Sequence, residues 1–163
     1  MSENLVPWES FFVAQVGACA ALAGLIFVSV SINLERILRY RWLPQRAAQT
    51  MVLLGMALIL GSITLIPRES ALVLGLELCG CALIALFLIY ALQVAGGPVP
   101  REYGRHARLN LALQTLVALL GIVGGGLIAT ANEAGIFWIA SAIVGALIVG
   151  IFNAWVLLVE IVR

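Results

Sequence analysis

Hydrophobic residues run almost without interruption over five stretches of this chain, at about 10–34, 47–66, 70–94, 109–131 and 135–160. Each is long enough to cross a hydrocarbon core of about 30 Å as a helix, which takes about 20 residues. Polar residues gather between the runs, and so do the five prolines, Pro7, Pro44, Pro67, Pro98 and Pro100. That placement is expected where proline bounds helices rather than interrupting them. The connections near 67–69 and 132–134 are so short that the spans they join must be antiparallel neighbours. The pattern predicts an all-α integral membrane protein, a single transmembrane domain over 1–163 with five transmembrane helices.

One stretch breaks the pattern. In VSVSINLERILRYRW, residues 28–42, the polar Ser29, Ser31, Asn33 and Glu35 take every second position, a period that suits a strand. A lone strand cannot cross lipid, because its backbone groups would have no partners there. The stretch therefore reads as the end of the first span, a helix continuing out of the bilayer. On it Ser29, Asn33 and Arg36 share one face, and Glu35 stands four residues before Arg39 in the favourable order.

Composition sharpens the class. Hydrophobic residues make up 63% of the chain and charged residues 10%, against about 25% charged in soluble domains. All nine cations are arginine, and their distribution is uneven. Arg36, Arg39, Arg41 and Arg46 fall in one connection, and Arg101, Arg105 and Arg108 in another. The opposite side has Arg68, offset by Glu69, and Glu133. The positive-inside rule predicts that the arginine-rich side is cytoplasmic, with the N-terminus outside and Arg163 inside. Trp8 and Trp138 would mark the outer interface, and Tyr40, Trp42, Tyr90, Tyr103 and Trp155 the inner one. The acidic opening MSENLVPWES lacks the basic n-region of a signal peptide. A bacterial cytoplasmic (inner) membrane is the expected location.

Small residues suggest how the spans meet. Ala14, Gly17, Ala21, Gly24, Val28 and Ser31 recur in steps of three and four along the first span, the spacing of a left-handed helix crossing. Gly121, Gly125 and Ala129 on the fourth span, and Ala142, Ala146, Gly150 and Ala154 on the fifth, form small-xxx-small ridges. Such ridges let backbones approach closely in lipid. Five helices then offer more small faces than one bundle of this size uses, so a homo-oligomer is expected.

Catalytic chemistry is poorly supplied. Aspartate and lysine are absent and there is one histidine, which excludes a Ser-His-Asp triad and a single-chain bis-histidine haem. No HExxH, phosphate-binding loop or dinucleotide fingerprint occurs. Cys19, Cys79 and Cys81 lie within apolar runs and read as small buried hydrophobes. His106, between Arg105 and Arg108, reads as a solvated loop histidine. The expectation is a protein that is not an enzyme and has no cofactor, metal or nucleic-acid partner. Its partners would be lipid and further copies of itself, or other membrane proteins.

Polar residues inside the spans are the candidates for function, since each needs a partner or water. Asn110, Gln114 and Asn153 should form a polar cluster in the inner third, either bonded between helices or lining an aqueous vestibule. Glu77, in LVLGLELCGCAL, should lie roughly 10 Å along its helix, facing the bundle interior or water, either as a structural hydrogen-bond donor or as an ion or proton site near the outer entrance. The face Gln15, Cys19, Leu22, Ile26, Ser29, Asn33, Arg36 runs polar, apolar, polar. That order suits an ion channel whose pore is lined by the first span and constricted at Leu22 and Ile26. The alternative from another class is a non-catalytic accessory or scaffold subunit of a membrane complex.

Overall fold

A computed structural model describes the chain over residues 2–38, 43–67, 70–96 and 104–162, with side chains over 8–35, 37–38, 43–67, 70–96 and 104–156. Every regular element in these residues is a helix: α1 Ser2–Ile32, α2 Leu34–Leu38, α3 Leu43–Thr64, α4 Ala71–Ala95, α5 Gly104–Ala129 and α6 Gly135–Val162. Five of them, all but the short α2, contain segments long and apolar enough to cross a membrane.

The helices overrun the apolar runs at three ends. α1 starts at Ser2, so Pro7 falls inside it rather than before it. α3 starts at Leu43 and takes Pro44 into its first turn, where a missing N–H costs nothing. α5 starts at Gly104, which puts the exposed Arg105, His106 and Arg108 among its first five residues rather than in a loop. The reverse holds at the end of α1. Its helix stops at Ile32, and Asn33 is a turn residue before α2. The Asn33 side chain donates to the Ser29 carbonyl at 2.9 Å and Ser31 to that of Phe27 at 2.8 Å. Two of the alternating polar residues thus bond back to their own helix, as such side chains do when they compete with the backbone. Arg39 lies outside the described residues, as does the side chain of Arg36.

Packing closes α3, α4, α5 and α6 into an antiparallel four-helix ring, each on the next and α3 on α6. α1 lies outside the ring, seated on α3 and α6. The closest seam joins α4 to α5. A Cβ added at Gly125 would sit 2.7 Å from the Cys79 nitrogen and 2.8 Å from the Gly75 carbonyl. One added at Gly75 would meet the Ala129 backbone. Gly121 faces Ala82 and Leu60, Gly124 faces Ile139, and Gly150 faces Leu54. Gly75, Cys79 and Ala82 therefore form the mate of the Gly121–Gly125–Ala129 ridge, as expected where van der Waals contact holds helices together in lipid.

The connections fix the hairpins. Ser70 caps α4, its hydroxyl accepting from the Val73 N–H at 3.3 Å. α5 ends in a Schellman turn: Asn132 N–H reaches the Leu127 carbonyl at 3.0 Å and Ala131 N–H that of Ile128 at 2.8 Å. Ala131 holds the left-handed position, φ 58°, that glycine usually takes.

Candidate functional site

α1 carries two packing seams on opposite sides. Phe12, Cys19 and Ile26 recur every seven residues and are buried, with Gln15, Leu22, Ser29 and Asn33 half-buried between them. This seam rests on α3 and α6. Trp8 fixes its N-terminal end, with ring centroids 4.9 Å from Phe137 at 90°. A Cβ on Gly61 of α3 would come within 2.8 Å of Val16. At 3.6 residues per turn the second seam, Ala14, Gly17, Ala21, Gly24, Val28 and Ser31, is centred roughly 160° away. All six of these residues are exposed. A Cβ added at Gly17 or Gly24 would meet nothing within 4 Å.

The face expected to line a pore is therefore the one that docks α1 on its own protomer. Within one copy Cys19 and Ile26, at 0% and 4% exposure, front no open path. The physical reason is size: the bulky Phe12, Leu22 and Ile26 fill the groove between α3 and α6, whereas the small seam offers that groove little to bury. α1 also keeps the smallest buried share of the five spans, 17% of its apolar window against 33–56% for the others. Of the residues expected to pack helices, Gly121, Gly125, Ala146 and Gly150 are buried in the ring, and Gly17 and Gly24 face outward.

A second constellation lies in the arginine-rich half of the ring. Each ring helix contributes at least one amide: Gln45 and Gln49 from α3, Gln93 from α4, Gln114 from α5 and Asn153 from α6. Gln49 Nε2 donates to the Ile89 carbonyl and to Gln93 Oε1, both at 3.1 Å, and Gln45 Nε2 donates to Gln93 Oε1 at 3.4 Å. The Gln45 amide occupies the space where a Gly96 Cβ would stand. Thr50, also buried, bonds to its own helix at the Arg46 carbonyl, 2.9 Å away.

The α5 and α6 side of this layer differs. Gln114 is 0% exposed and neither atom of its amide has a hydrogen-bond partner among the described residues. Asn153 is 6% exposed with Nδ2 unpartnered, and Gln45 Oε1 is likewise unpartnered. Asn110, expected beside them, is half-buried. Gln45 and Gln49 escape a reading of apolar runs because they sit at the polar start of α3; their i, i+4 spacing was the available signal.

Glu77 takes neither expected place. It is exposed on the outer flank of α4, roughly 9 Å from Ala71. The inward stripe of α4 is Leu74, Gly75, Leu78, Ala82, Ala85 and Ile89, and Glu77 falls roughly 110° from its centre at 3.6 residues per turn. Among the described residues no three of His, Cys, Asp or Glu come together in a group that could hold a metal ion.

Comparison with known protein families, with curated proteins and with solved structures finds no match.

Proposed function

We propose that this is a non-catalytic integral membrane protein that works by assembly: the outward seam of α1 packs against the same seam of a further copy. The single observation behind this reading is the second heptad seam itself, six small or slender residues exposed on the least buried span. Small residues at this spacing gain little against lipid and much against another helix, because they let two backbones approach. A role as accessory or scaffold subunit fits a chain whose described residues form one compact ring and one docking helix. The arginine-rich end is proposed to be cytoplasmic and the membrane a bacterial inner membrane. A reporter fused after Arg163 should be active in the cytoplasm, and activity outside would reverse the orientation.

The assembly reading is tested by cysteine cross-linking in native membranes, in a variant whose Cys19, Cys79 and Cys81 are alanine. Gly17→Cys and Ala21→Cys should give disulfide-linked dimers on oxidation. Leu83→Cys, exposed on α4, should not. Cross-linking from Leu83→Cys alone would move the interface away from α1.

Ion conduction is the second reading. It is favoured by the amide layer, which puts hydrogen-bonding groups from all four ring helices at one level of the bilayer. The expected route along Gln15, Leu22, Ile26, Ser29, Asn33 and Arg36 needs α1 to rotate out of its seat. Proteoliposomes holding the assembled protein should then pass ions, and Arg36→Glu should shift their preference toward cations. Tight vesicles would remove this reading while leaving assembly untouched.

A further inference from the structure

We infer that water enters the arginine-rich half of the four-helix ring between α5 and α6 and hydrates Gln114 and Asn153, while the other half of the ring stays dry. The inference concerns the interior of one protomer and does not depend on how copies assemble. It begins with register. Gly121 packs on Ala82 and Leu60. Two helical turns further toward the arginine-rich end, Gln114 is level with Ile89 and Leu53. Gly150 packs on Leu54, so Asn153, about one turn beyond it, is level with Thr50. Gln114 and Asn153 thus stand at neighbouring levels on adjacent helices, and the Gln49–Gln93 pair stands across the ring level with Asn153, about one turn from Gln114.

The two sides of this layer differ in one respect. α3 and α4 bond their amide N–H groups to each other and to the Ile89 carbonyl, and leave one amide atom, Gln45 Oε1, unpartnered. α5 and α6 leave three amide atoms unpartnered among the described residues: Gln114 Nε2, Gln114 Oε1 and Asn153 Nδ2. A buried amide without a partner loses the hydration it had in water, and in hydrocarbon that loss is large. Two donors and an acceptor suit water, which gives and takes hydrogen bonds and commonly bridges buried polar groups through two to four of them. A metal ion or an anion would satisfy only one kind of atom in this mixed set.

Gln114 has no exposed surface in this packing, so hydration requires the ends of α5 and α6 to part. The seam allows this on one side only. Above Gly121 the ring is closed by backbone approach: a Cβ added at Gly125 would strike the Cys79 and Gly75 backbones, and one added at Gly135 would lie 2.6 Å from the Gly124 carbonyl oxygen. Below it, the α6 glycine that faces α5 meets a side chain instead of backbone: a Cβ added at Gly145 would lie 3.0 Å from the end of the Val117 side chain. The closed form carries unsatisfied amides and the open form does not, a difference that biases the pair toward hydration.

The test uses the full-length protein in bilayers of phosphatidylcholine and phosphatidylglycerol. After transfer to D₂O, the side-chain NH₂ signals of Gln114 and Asn153 in solid-state NMR should be lost quickly. The backbone N–H signals of Gly121, Gly124 and Gly125 should persist. Retention of both side-chain signals for as long as the glycine amides would overturn the inference. A second measurement needs no resonance assignment. In the cysteine-free background, Gln114→Cys should be modified by a small charged thiol reagent added at the arginine-rich side, and Leu60→Cys should be protected. Equal protection of the two, or labelling of Gln114→Cys from the opposite side alone, would contradict it.

Discussion

Ala131 sits in the left-handed region at φ 58° where α5 turns into α6. That conformation costs an L-residue about 1–2 kcal/mol, and the extra freedom of glycine in the unfolded chain offsets under 1 kcal/mol of what glycine would recover. Ala131→Gly should therefore raise the thermal midpoint in detergent slightly, and Ala131→Val should lower it. The amides make the opposite point about single residues. Gln49 makes two hydrogen bonds between helices, yet such bonds average about 0.6 kcal/mol each in membranes. Gln49→Leu should cost roughly 1 kcal/mol and leave the fold intact, by thermal unfolding followed with circular dichroism. At this scale the sequence was readable in kind but not in direction. The position of Glu77 along α4 followed from counting residues, but its outward flank depended on which stripe of α4 its neighbours had filled.

Adjacent glycines on α5 should behave in contrary ways. A side chain at Gly125 would strike the Cys79 and Gly75 backbones, whereas one at Gly126 would meet nothing within 4 Å. Gly125→Leu should abolish folded protein, because backbone cannot yield as a side chain can. Gly126→Leu should express like the parent, by size-exclusion yield. The same reasoning separates α1 from the ring: Gly24→Leu should fold, since its side has open space. The five spans, the ridge on α5 and both heptad seams of α1 were legible as periodicities. Which seam of α1 faces inward was not. That choice depends on the shape of the groove between α3 and α6, where Phe12, Cys19 and Ile26 bury more surface than alanines and glycines could. Helix ends were also misjudged wherever polar residues continue a helix beyond the apolar run, as Gly104–Arg108 does on α5.

At the scale of the molecule, the design is a closed ring and a docked helix. The ring packs on itself: its small ridges are consumed between α4 and α5 and between α3 and α6. α1 is held on one seam and offers the other. A monomer would leave six small residues facing lipid with nothing to gain there, so assembly through α1 is the central claim. It is tested most directly by the mass of the protein extracted into lipid nanodiscs without cross-linking, compared with a Gly17→Leu, Gly24→Leu double variant. The parent should contain two or more copies per particle and the variant one, with equal helical content by circular dichroism. A single copy in the parent, or an unchanged copy number in a folded variant, would contradict the account.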